Sequence, residues 1–359
     1  MVGDGSILIT GGAGYIGSHT VLVLLENGYD IIVLDNLVNA WKDDSVQIPE
    51  VLQRVERLSG KKITFYQVDL VDKDGLSEVF KQHKIDCVIH FAALKAVGES
   101  CQEPLKYYSN NVSGSITLFK VMKEQNVKNL VYSSSSTVYG SPEYLPLCEK
   151  HPTGRTCTNP YGKSKYFVEE ILRDLVTSDK GWNVISLRYF NPVGAHPSGD
   201  IGEDPTGTPN NLMPYVAQVA IGRRKELLVF GNDYDTPDGT GVRDYIHIMD
   251  LAEGHVVALQ NLLKPSSTDR FNVFNLGTGR GYSVLEVINA FSEVSGRKIN
   301  YRFVARREGD IAVSYCSPNL AKDSLGWTAK RGLKDMCEDM WRWQTKNPNG
   351  FNKDQQPSE

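Results

Sequence analysis

The chain has 359 residues, of which 40% are hydrophobic and 23% charged, a composition typical of a globular protein and not of a disordered one. Its formal net charge of −4 gives no general electrostatic reason to expect nucleic acid or an anionic membrane as a partner. The six cysteines form no C-x-x-C pair and the seven histidines show no ligand spacing, so we expect neither a disulfide framework nor a metal site.

The first residues carry no basic cluster followed by an apolar run, so no signal peptide is expected. No apolar stretch approaches the roughly 20 residues that a helix needs to span a bilayer. We therefore expect a soluble protein of the cytoplasm, a reducing compartment in which scattered cysteines stay free.

Short apolar strands alternate with amphipathic helices in the first half of the chain. This alternation predicts the α/β class with a doubly wound, parallel, Rossmann-type sheet. A longer connection, residues 36–60, includes a predicted helix at Glu50–Leu58. The predicted strands are Ser6–Thr10, Asp30–Leu34, Ile63–Val68, Cys87–His90, Asn129–Ser133 and Val184–Leu187.

The pattern changes after about residue 190, where Pro192–Pro214 is rich in proline and glycine and is predicted to be a long loop facing the substrate. Beyond it we expect a smaller mixed α/β lobe packed against the carboxyl edge of the sheet, and a polar, disordered tail from Phe351 onward. Helices are predicted at Pro214–Ile221, Ile248–Leu263, Val284–Ser295 and Leu333–Lys346, and strands shared by the two lobes at Glu226–Val229 and Phe271–Leu276.

A glycine-rich run follows the first strand and opens the first helix. Glycines here permit a tight turn, close approach of the backbone to a pyrophosphate, and close packing of the helix on the strand. The run is Gly11, Gly12, Ala13, Gly14, Tyr15, Ile16 and Gly17. The alternative is that the glycines only shape a turn, but their position between strand and helix favours a dinucleotide site.

Asp35 ends the second predicted strand, 18 residues after Gly17. A carboxylate there would accept hydrogen bonds from the adenosine ribose and repel a 2′-phosphate, which favours NAD over NADP. The alternative is a solvated residue at the end of a strand.

Tyr161 and Lys165 are four residues apart, and Asn159-Pro160 just before them can start a helix, so both side chains would share one face. A cation about 5 Å from a phenol contributes roughly 3 kcal/mol at an effective dielectric of about 20, or about 2.5 pKa units. Lys165, together with a cationic nicotinamide ring, would make Tyr161 a general base near neutral pH. The alternative is an aromatic residue packed on a helix beside an exposed lysine.

The predicted fifth strand ends in a hydroxyl-rich segment, Val131–Tyr139, that contains four consecutive serines. One of these serines can hydrogen-bond the oxygen of a reacting sugar. The alternative is a polar turn at the end of a strand.

Together these features resemble the extended short-chain dehydrogenase/reductase family, and within it the UDP-galactose 4-epimerases. The similarity extends from Ser6 to about Phe351, and the order of the motifs is far more specific than any one of them. The matching segments are Thr10–Thr20, His90–Ser100, Asn159–Lys165, Leu187–Ala195, Pro209–Pro214, Asp238–His247 and Arg306–Asp310.

The resemblance implies an isomerase of galactose metabolism. It would interconvert UDP-galactose and UDP-glucose by reversible oxidation at C4, through a 4-keto sugar, with NAD retained. It also implies a Rossmann domain for NAD in residues 1–190, with returning segments near 226–276, a UDP-sugar lobe in residues 191–350, and a homodimer formed through helices around Pro104–Gln125 and Tyr161–Val176.

The resemblance also implies roles for individual residues. Tyr161 would be the base, Lys165 its partner and a ligand of the nicotinamide ribose, and Ser135 the helper on the sugar oxygen, with Ser136 as its alternative. Besides the glycine run, Asp35 and the catalytic three, the cofactor residues would be Asn36, Asp69, Leu70, Phe91, Ala92, Lys95, Asn111, Ser133 and Tyr189. The UDP-sugar would contact Lys95, Ser135, Tyr161, Asn191, Asn210, Asn211, Leu212, Val229, Phe230, Arg243, Tyr245, Arg307, Asp310 and Ser314.

Two positions depart from the animal pattern: Ala93 replaces a glycine, and Ser136 replaces an alanine. Ser314 corresponds to the position beside the sugar's C2 substituent, where a bulky tyrosine restricts some bacterial members and cysteine leaves room in animal ones. Its small side chain predicts that UDP-N-acetylglucosamine and UDP-N-acetylgalactosamine are also substrates, unless Ser314 faces away and another residue closes the pocket.

Two other functions are compatible with the same fold. Nucleotide-sugar 4,6-dehydratases resemble this chain but carry an Asp-Glu pair where it has Ser136 and Thr137, which cannot exchange protons at neutral pH. A non-catalytic nucleotide sensor would be expected to lack Tyr161 or Lys165, and both are present.

Overall fold

The structure, a computed structural model, describes residues 5–42, 46–205, 207–264, 270–307 and 309–352. Strands and helices alternate through the first half of the chain. In chain order they are β1 (Ser6–Thr10), α1 (Tyr15–Glu26), β2 (Ile31–Asp35), α2 (Glu50–Ser59), β3 (Thr64–Gln67), α3 (Lys73–Gln82), β4 (Ile85–His90), α4 (Val97–Gln102), α5 (Pro104–Tyr107), a π-helical turn (Tyr108–Ser113), α6 (Gly114–Glu124), β5 (Asn129–Ser135), a 3₁₀ turn (Ser136–Tyr139), α7 (Pro160–Ser178) and β6 (Asn183–Tyr189).

The second half mixes shorter strands with helices. These are β7 (Asn191–Val193), α8 (Leu212–Ala220), β8 (Leu227–Phe230), β9 (Val242–His247), α9 (Ile248–Leu262), β10 (Phe271–Leu276), β11 (Gly281–Ser283), α10 (Val284–Ser295), β12 (Tyr301–Val304), β13 (Val313–Ser314), α11 (Asn319–Leu325) and α12 (Leu333–Lys346).

Over the described ranges, seven strands form one parallel sheet in the order β10-β6-β5-β4-β1-β2-β3. The strands are apolar and buried because helices cover both faces: α1, α2 and α9 on one side, α3, α6 and α7 on the other. This confirms the predicted doubly wound fold. The chain order reverses between β1 and β4, so their carboxyl ends open a crevice at this point.

The second lobe is built on two small sheets. One contains β11, β9 and β13 with β7 added beside β9, and the other pairs β8 with β12. The helices α8, α10 and α12 pack against one another in this lobe. The crevice of the large sheet therefore faces a second wall made from residues after 190.

Two expectations about the second half need correction. Glu226–Val229 and Phe271–Leu276 are both predicted to be shared by the two lobes. Only Phe271–Leu276 enters the large sheet. The other segment forms most of β8, which pairs with β12 in the second lobe. The predicted disordered tail begins too early, because Phe351 is buried and its N–H donates to Asp204 Oδ2 at 2.8 Å. The remainder of that tail, residues 353–359, lies outside the described residues.

A search of the described helices found none with the length and apolar character required to cross a membrane.

Candidate active site

The crevice at the carboxyl ends of β1, β2 and β4 contains a cavity of about 320 Å³. Its floor is the glycine-rich run together with the residues that follow β2 and β4. Its opposite wall comes from the second lobe, at Gly202–Pro205 and Asn210–Asn211, and from the end of the chain at Phe351 and Asn352. A ligand in this cavity would contact both lobes.

The glycine-rich run is constrained by close contacts that leave no space for side chains. Gly11 has a φ of +71°, and a Cβ there would lie 2.7 Å from the backbone nitrogen of Ala92. A Cβ at Gly17 would lie 2.2 Å from the Gly11 carbonyl oxygen. No side chain caps α1 at Gly14 and no acidic residue lies in its first turn, so this helix N-terminus is available to an anion.

Asp35 lies at the end of β2, next to the glycine-rich run. Its Oδ2 accepts the N–H of Ala13 at 3.0 Å, and its Oδ1 accepts the N–H of Leu37 at 2.8 Å. Burial raises the pKa of Asp35, and these two donors oppose the shift. Asn36 donates to Asp69 Oδ2 at 2.8 Å, which joins two of the predicted adenosine residues at the cavity wall.

The segment after β4 is held against β1 by its backbone. The N–H groups of Phe91 and Ala92 donate to the Thr10 carbonyl at 3.0 and 3.2 Å. Asn111 accepts the N–H of Leu94 and donates to its carbonyl, at 2.8 and 3.0 Å. The Asn111 side chain therefore braces the segment after β4, and its predicted contact with the cofactor stays a prediction.

Asn110, its neighbour, lines the cavity instead. The Tyr189 side chain is buried, and its hydroxyl is hydrogen-bonded to His255 Nε2, while its predicted contact with the cofactor stays a prediction.

The helix α7 begins where the sequence predicts. Asn159 caps it by accepting the Gly162 N–H at 2.8 Å, and Pro160 occupies the first turn. Tyr161 is hydrogen-bonded to Ser135 at the end of β5. One turn further along, the buried ammonium of Lys165 donates to the Ser133 carbonyl at 2.6 Å. Two neighbouring elements, β5 and α7, thus bring the predicted catalytic side chains together.

Ser135, and not Ser136, faces Tyr161. The Ser135 oxygen accepts both the N–H and the hydroxyl of Thr137, at 3.2 and 2.9 Å. With its lone pairs occupied, the Ser135 hydroxyl proton is available for the Tyr161 oxygen. Ser136 instead begins the 3₁₀ turn.

Burial acts on both members of the pair. Burial raises the pKa of Tyr161, while the hydrogen bond from Ser135 and the positive charge of Lys95 lower it. Burial lowers the pKa of Lys165 to about 7, opposed by the negative charge of Glu169.

The predicted UDP-sugar residues of the second lobe gather on β7, β8, β9 and β13. Strand register places Asn191 opposite Tyr245, and Ser314 opposite Arg243. Ser314 is buried, with 6% of its surface exposed. Tyr245 is also buried, and burial raises its pKa to about 12. Val229 is also buried.

The arginines of this group already have contacts. Arg243 forms an ion pair with Asp310, which joins two residues that were both predicted to bind the substrate. The Arg307 guanidinium lies 4.4 Å from the ring centroid of Phe230. A diphosphate would therefore have to compete with Asp310 for Arg243.

Glu203 is a cavity residue that the sequence reasoning missed. Glu203 is buried, and its Oε1 accepts hydrogen bonds from Lys95 Nζ at 3.0 Å and from Asn211 Nδ2 at 2.9 Å. Leu212, the next residue after Asn211, begins α8. Its position within a proline- and glycine-rich loop gave no periodic signal of burial.

Val38, Trp41 and Phe351 also line the cavity without having been predicted. The only sequence signal for Phe351 was a lone aromatic residue in an otherwise polar tail. Across the described residues, no group of three or more His, Cys, Asp or Glu side chains is arranged to hold a metal ion.

Comparison with known proteins agrees with this geometry. The model of a family described as GDP-mannose 4,6 dehydratase matches residues 8–340. The UDP-glucose 4-epimerase of Drosophila melanogaster is 60% identical over 346 residues, which cover 96% of this chain and 98% of that protein. The UDP-glucose 4-epimerase of Homo sapiens is 60% identical over 345 residues, with the same two coverages.

A solved structure, that of UDP-glucose 4-epimerase from Bifidobacterium longum in complex with NAD⁺ and UDP, superposes with a TM-score of 0.90 at 52% identity. It covers 96% of this chain and 99% of that one. The matching family model includes dehydratases of the same fold, but this chain has Ser136 and Thr137 at the positions of their Asp-Glu pair. The chain belongs to the UDP-glucose 4-epimerases of the extended short-chain dehydrogenase/reductase family.

Proposed function

We propose that this protein interconverts UDP-galactose and UDP-glucose, with NAD as a retained cofactor. Family membership supports the reaction, and one geometric observation carries it. Tyr161 and the buried Lys165 lie one helical turn apart on α7, and Lys165 Nζ donates at 2.6 Å to the carbonyl of Ser133, a residue that lines the cavity. The first lobe would hold the cofactor and the second lobe the UDP-sugar.

The cavity fits a dinucleotide. Gly11 and Gly17 have no space for a Cβ, so the backbone itself forms the surface at the uncapped start of α1. A pyrophosphate would bind there. Asp35 would accept the adenosine ribose hydroxyls, and Asn36, Asp69 and Leu70 would flank the adenine. Phe91, Ala92 and Lys95 line the next part of the cavity. When bound, NAD supplies a reversible hydride acceptor for carbon C4 of the sugar.

The chain's own residues would handle the proton. Tyr161 Oη would take the proton of the sugar 4-hydroxyl, and the Ser135 hydroxyl would hydrogen-bond the same sugar oxygen. The resulting 4-keto sugar would turn within the site, and Tyr161 would return the proton after the opposite face is presented. Lys95 supports this role because its positive charge favours the phenolate of Tyr161.

The direct test is NMR of the purified protein with UDP-galactose and no added cofactor, following the axial-to-equatorial change at C4. Appearance of UDP-glucose is the expected result. Loss of the sugar's 6-oxygen would instead identify a dehydratase. Denaturing a desalted sample should release NAD(H); release of NADP(H) alone would contradict the role of Asp35.

We further propose that the acetamido sugars, UDP-N-acetylglucosamine and UDP-N-acetylgalactosamine, are substrates. The support is the small, buried side chain of Ser314 beside Arg243 on the neighbouring strand. Filling a tight site typically costs about 1–3 kcal/mol. The parent should turn over both sugar pairs, while Ser314→Tyr should lose mainly the acetamido pair. Equal acetamido turnover by parent and variant would show that Ser314 does not set the size of the pocket.

We also propose a homodimer formed through α5 and α7. Leu105 is 81% exposed on α5 and Phe167 is 42% exposed on α7, and Tyr108 joins these helices with its ring 6.0 Å from that of Phe167. Analytical ultracentrifugation should show a dimer for the parent and a monomer for Leu105→Asp. The control Leu320→Asp, at an exposed leucine on α11, should remain dimeric. A monomeric parent would contradict this assembly.

We place the enzyme in the cytoplasm. All six cysteines are free, as expected in a reducing compartment. Imaging of the tagged protein in its native cell tests this location.

A further inference from the structure

Glu169 is a carboxylate with no exposed surface, on α7 one turn after Lys165. A buried charge is costly unless it is paired and hydrogen-bonded. Arg188 on β6 provides the pairing, with Nε 3.0 Å from Glu169 Oε1 and Nη2 2.6 Å from Oε2. This two-point contact fixes the direction of the carboxylate.

The same carboxylate also binds two serines on neighbouring strands. Glu169 Oε1 accepts the hydroxyl of Ser134 on β5 at 2.5 Å and the hydroxyl of Ser186 on β6 at 3.1 Å. Ser134 lies between Ser133 and Ser135 in the chain. Its neighbours provide the carbonyl that accepts Lys165 and the hydroxyl that faces Tyr161.

We propose that Glu169 and Ser134 form a positioning pair for catalysis: their hydrogen bond ties the end of β5 to α7 and so sets the distances from Ser135 to Tyr161 and from Ser133 to Lys165. This inference rests on the proposed function, because it assumes the roles given to Tyr161, Lys165 and Ser135. Neither Glu169 nor Ser134 would touch the sugar.

Arg188, which pairs with Glu169, is itself connected to further hydrogen bonds. Arg188 Nη1 donates to the Tyr139 hydroxyl at 3.0 Å, and that hydroxyl donates to Asn275 Oδ1 at 2.7 Å on β10. The carboxylate is therefore held directly from β5 and β6, and Arg188 connects it through Tyr139 to β10. Catalytic groups gain most from such preorganisation, because a shift of about 1 Å can cost about a hundredfold in rate.

Several ionisable groups surround Tyr161 and Lys165 and enter any pH profile. They are Lys95 after β4, Tyr107 on α5, His90 on β4, Tyr132 on β5, Tyr189 on β6 and Glu169 on α7. Of the contacts to Tyr161, the hydrogen bond from Ser135 lowers its pKa. Weakening that bond should therefore move the acid limb of kcat to higher pH.

The test compares Ser134→Ala with Ser186→Ala. Each removes one buried hydroxyl from the same carboxylate oxygen and leaves the pairing with Arg188 intact. Ser134→Ala should lower kcat about ten- to a hundredfold, with KM for UDP-galactose unchanged and the acid limb moved to higher pH. Ser186→Ala should keep kcat within about twofold of the parent and keep its pH profile, although both variants lose thermal stability.

Equal losses of kcat and equal pH profiles in the two variants would overturn the positioning role and leave Glu169 as a purely structural residue. If Ser134→Ala does not fold, Ser134→Cys keeps a side chain of the same shape, slightly larger and with a weaker donor, and should show the same direction of change. Tyr161→Phe, assayed in parallel, separates a failure of the proposed function from a failure of the positioning pair. Full activity in Tyr161→Phe overturns the proposed function, whereas an inactive Tyr161→Phe with matched serine variants overturns only the positioning pair.

Discussion

At the scale of single residues, burial opposes the charged form of both proposed catalytic side chains. It raises the pKa of Tyr161 and lowers that of Lys165 to about 7. The phenolate therefore depends on local compensation. The structure provides it through the Ser135 hydroxyl and the Lys95 charge.

Replacing Tyr161 by Phe removes the proposed base and little volume. We expect kcat to fall at least about a thousandfold, within the range of general-base contributions. UDP-sugar binding, measured by calorimetry, should persist. A variant that retains a tenth of the parent activity would rule out Tyr161 as the base.

Replacing Lys95 by Met tests the electrostatic argument. The Lys95 charge lowers the pKa of Tyr161, so its removal should raise that pKa and move the acid limb of kcat to higher pH. The measurement is kcat between pH 6 and 10 at saturating UDP-galactose. Lys163→Met, at an exposed lysine on the helix that carries Tyr161, is the control and should keep the parent profile. An unmoved acid limb in Lys95→Met would contradict this assignment.

At the scale of elements, the connection from β1 to α1 is the most tightly determined part of the site. As predicted, β1 spans Ser6–Thr10 and the glycine-rich run opens α1, because Gly11 and Gly17 have no space for a Cβ. Gly17 is buried within the first turn of α1 and cannot accept a Cβ without displacing the backbone of Gly11.

Gly17→Ala should therefore destabilise the protein by about 1–3 kcal/mol, the usual cost of overpacking, and reduce the NAD content of the purified protein. The matched control is Gly332→Ala at the start of α12, where the nearest atom to a Cβ, Asp335 Oδ2, is 3.9 Å away. Its thermal midpoint should stay near that of the parent. Equal NAD content and equal midpoints in both variants would show that the run tolerates a methyl group.

At the scale of the whole molecule, three buried histidines link folding to pH. Burial lowers the pKa of His19 and His90 to about 3 and that of His255 to about 4. Their ordinary value in an unfolded chain is about 6.5. Between these values the unfolded state binds protons that the folded state does not, so stability is lost as pH falls from about 6.5 toward 3.

Each of these histidines should cost about 2 kcal/mol of stability at pH 5 relative to pH 7.5. We expect the parent's thermal midpoint to fall across that range. His90→Gln should show a smaller fall, even if its midpoint at pH 7.5 is lower through lost hydrogen bonds to Thr10 and Ser115. Identical pH dependence in both proteins would contradict the assignment to His90.

The sequence alone determined the doubly wound fold, the dinucleotide crevice and the helix that carries Tyr161 and Lys165. These depend on short-range patterns: apolar periodicity, glycines at a turn, and a cap at Asn159. Local sterics and hydrogen bonds set such features within a few residues of chain.

Only the tertiary structure decided the rest. It placed Glu203 between Lys95 and Asn211, Asn111 against Leu94 and Phe351 on the far side of the cavity. These contacts join residues from 8 to 108 positions apart. No local pattern encodes such contacts, because they depend on how two lobes pack. The same long-range packing directs the Lys165 ammonium to the Ser133 carbonyl and brings the Lys95 charge near Tyr161, where it favours the phenolate.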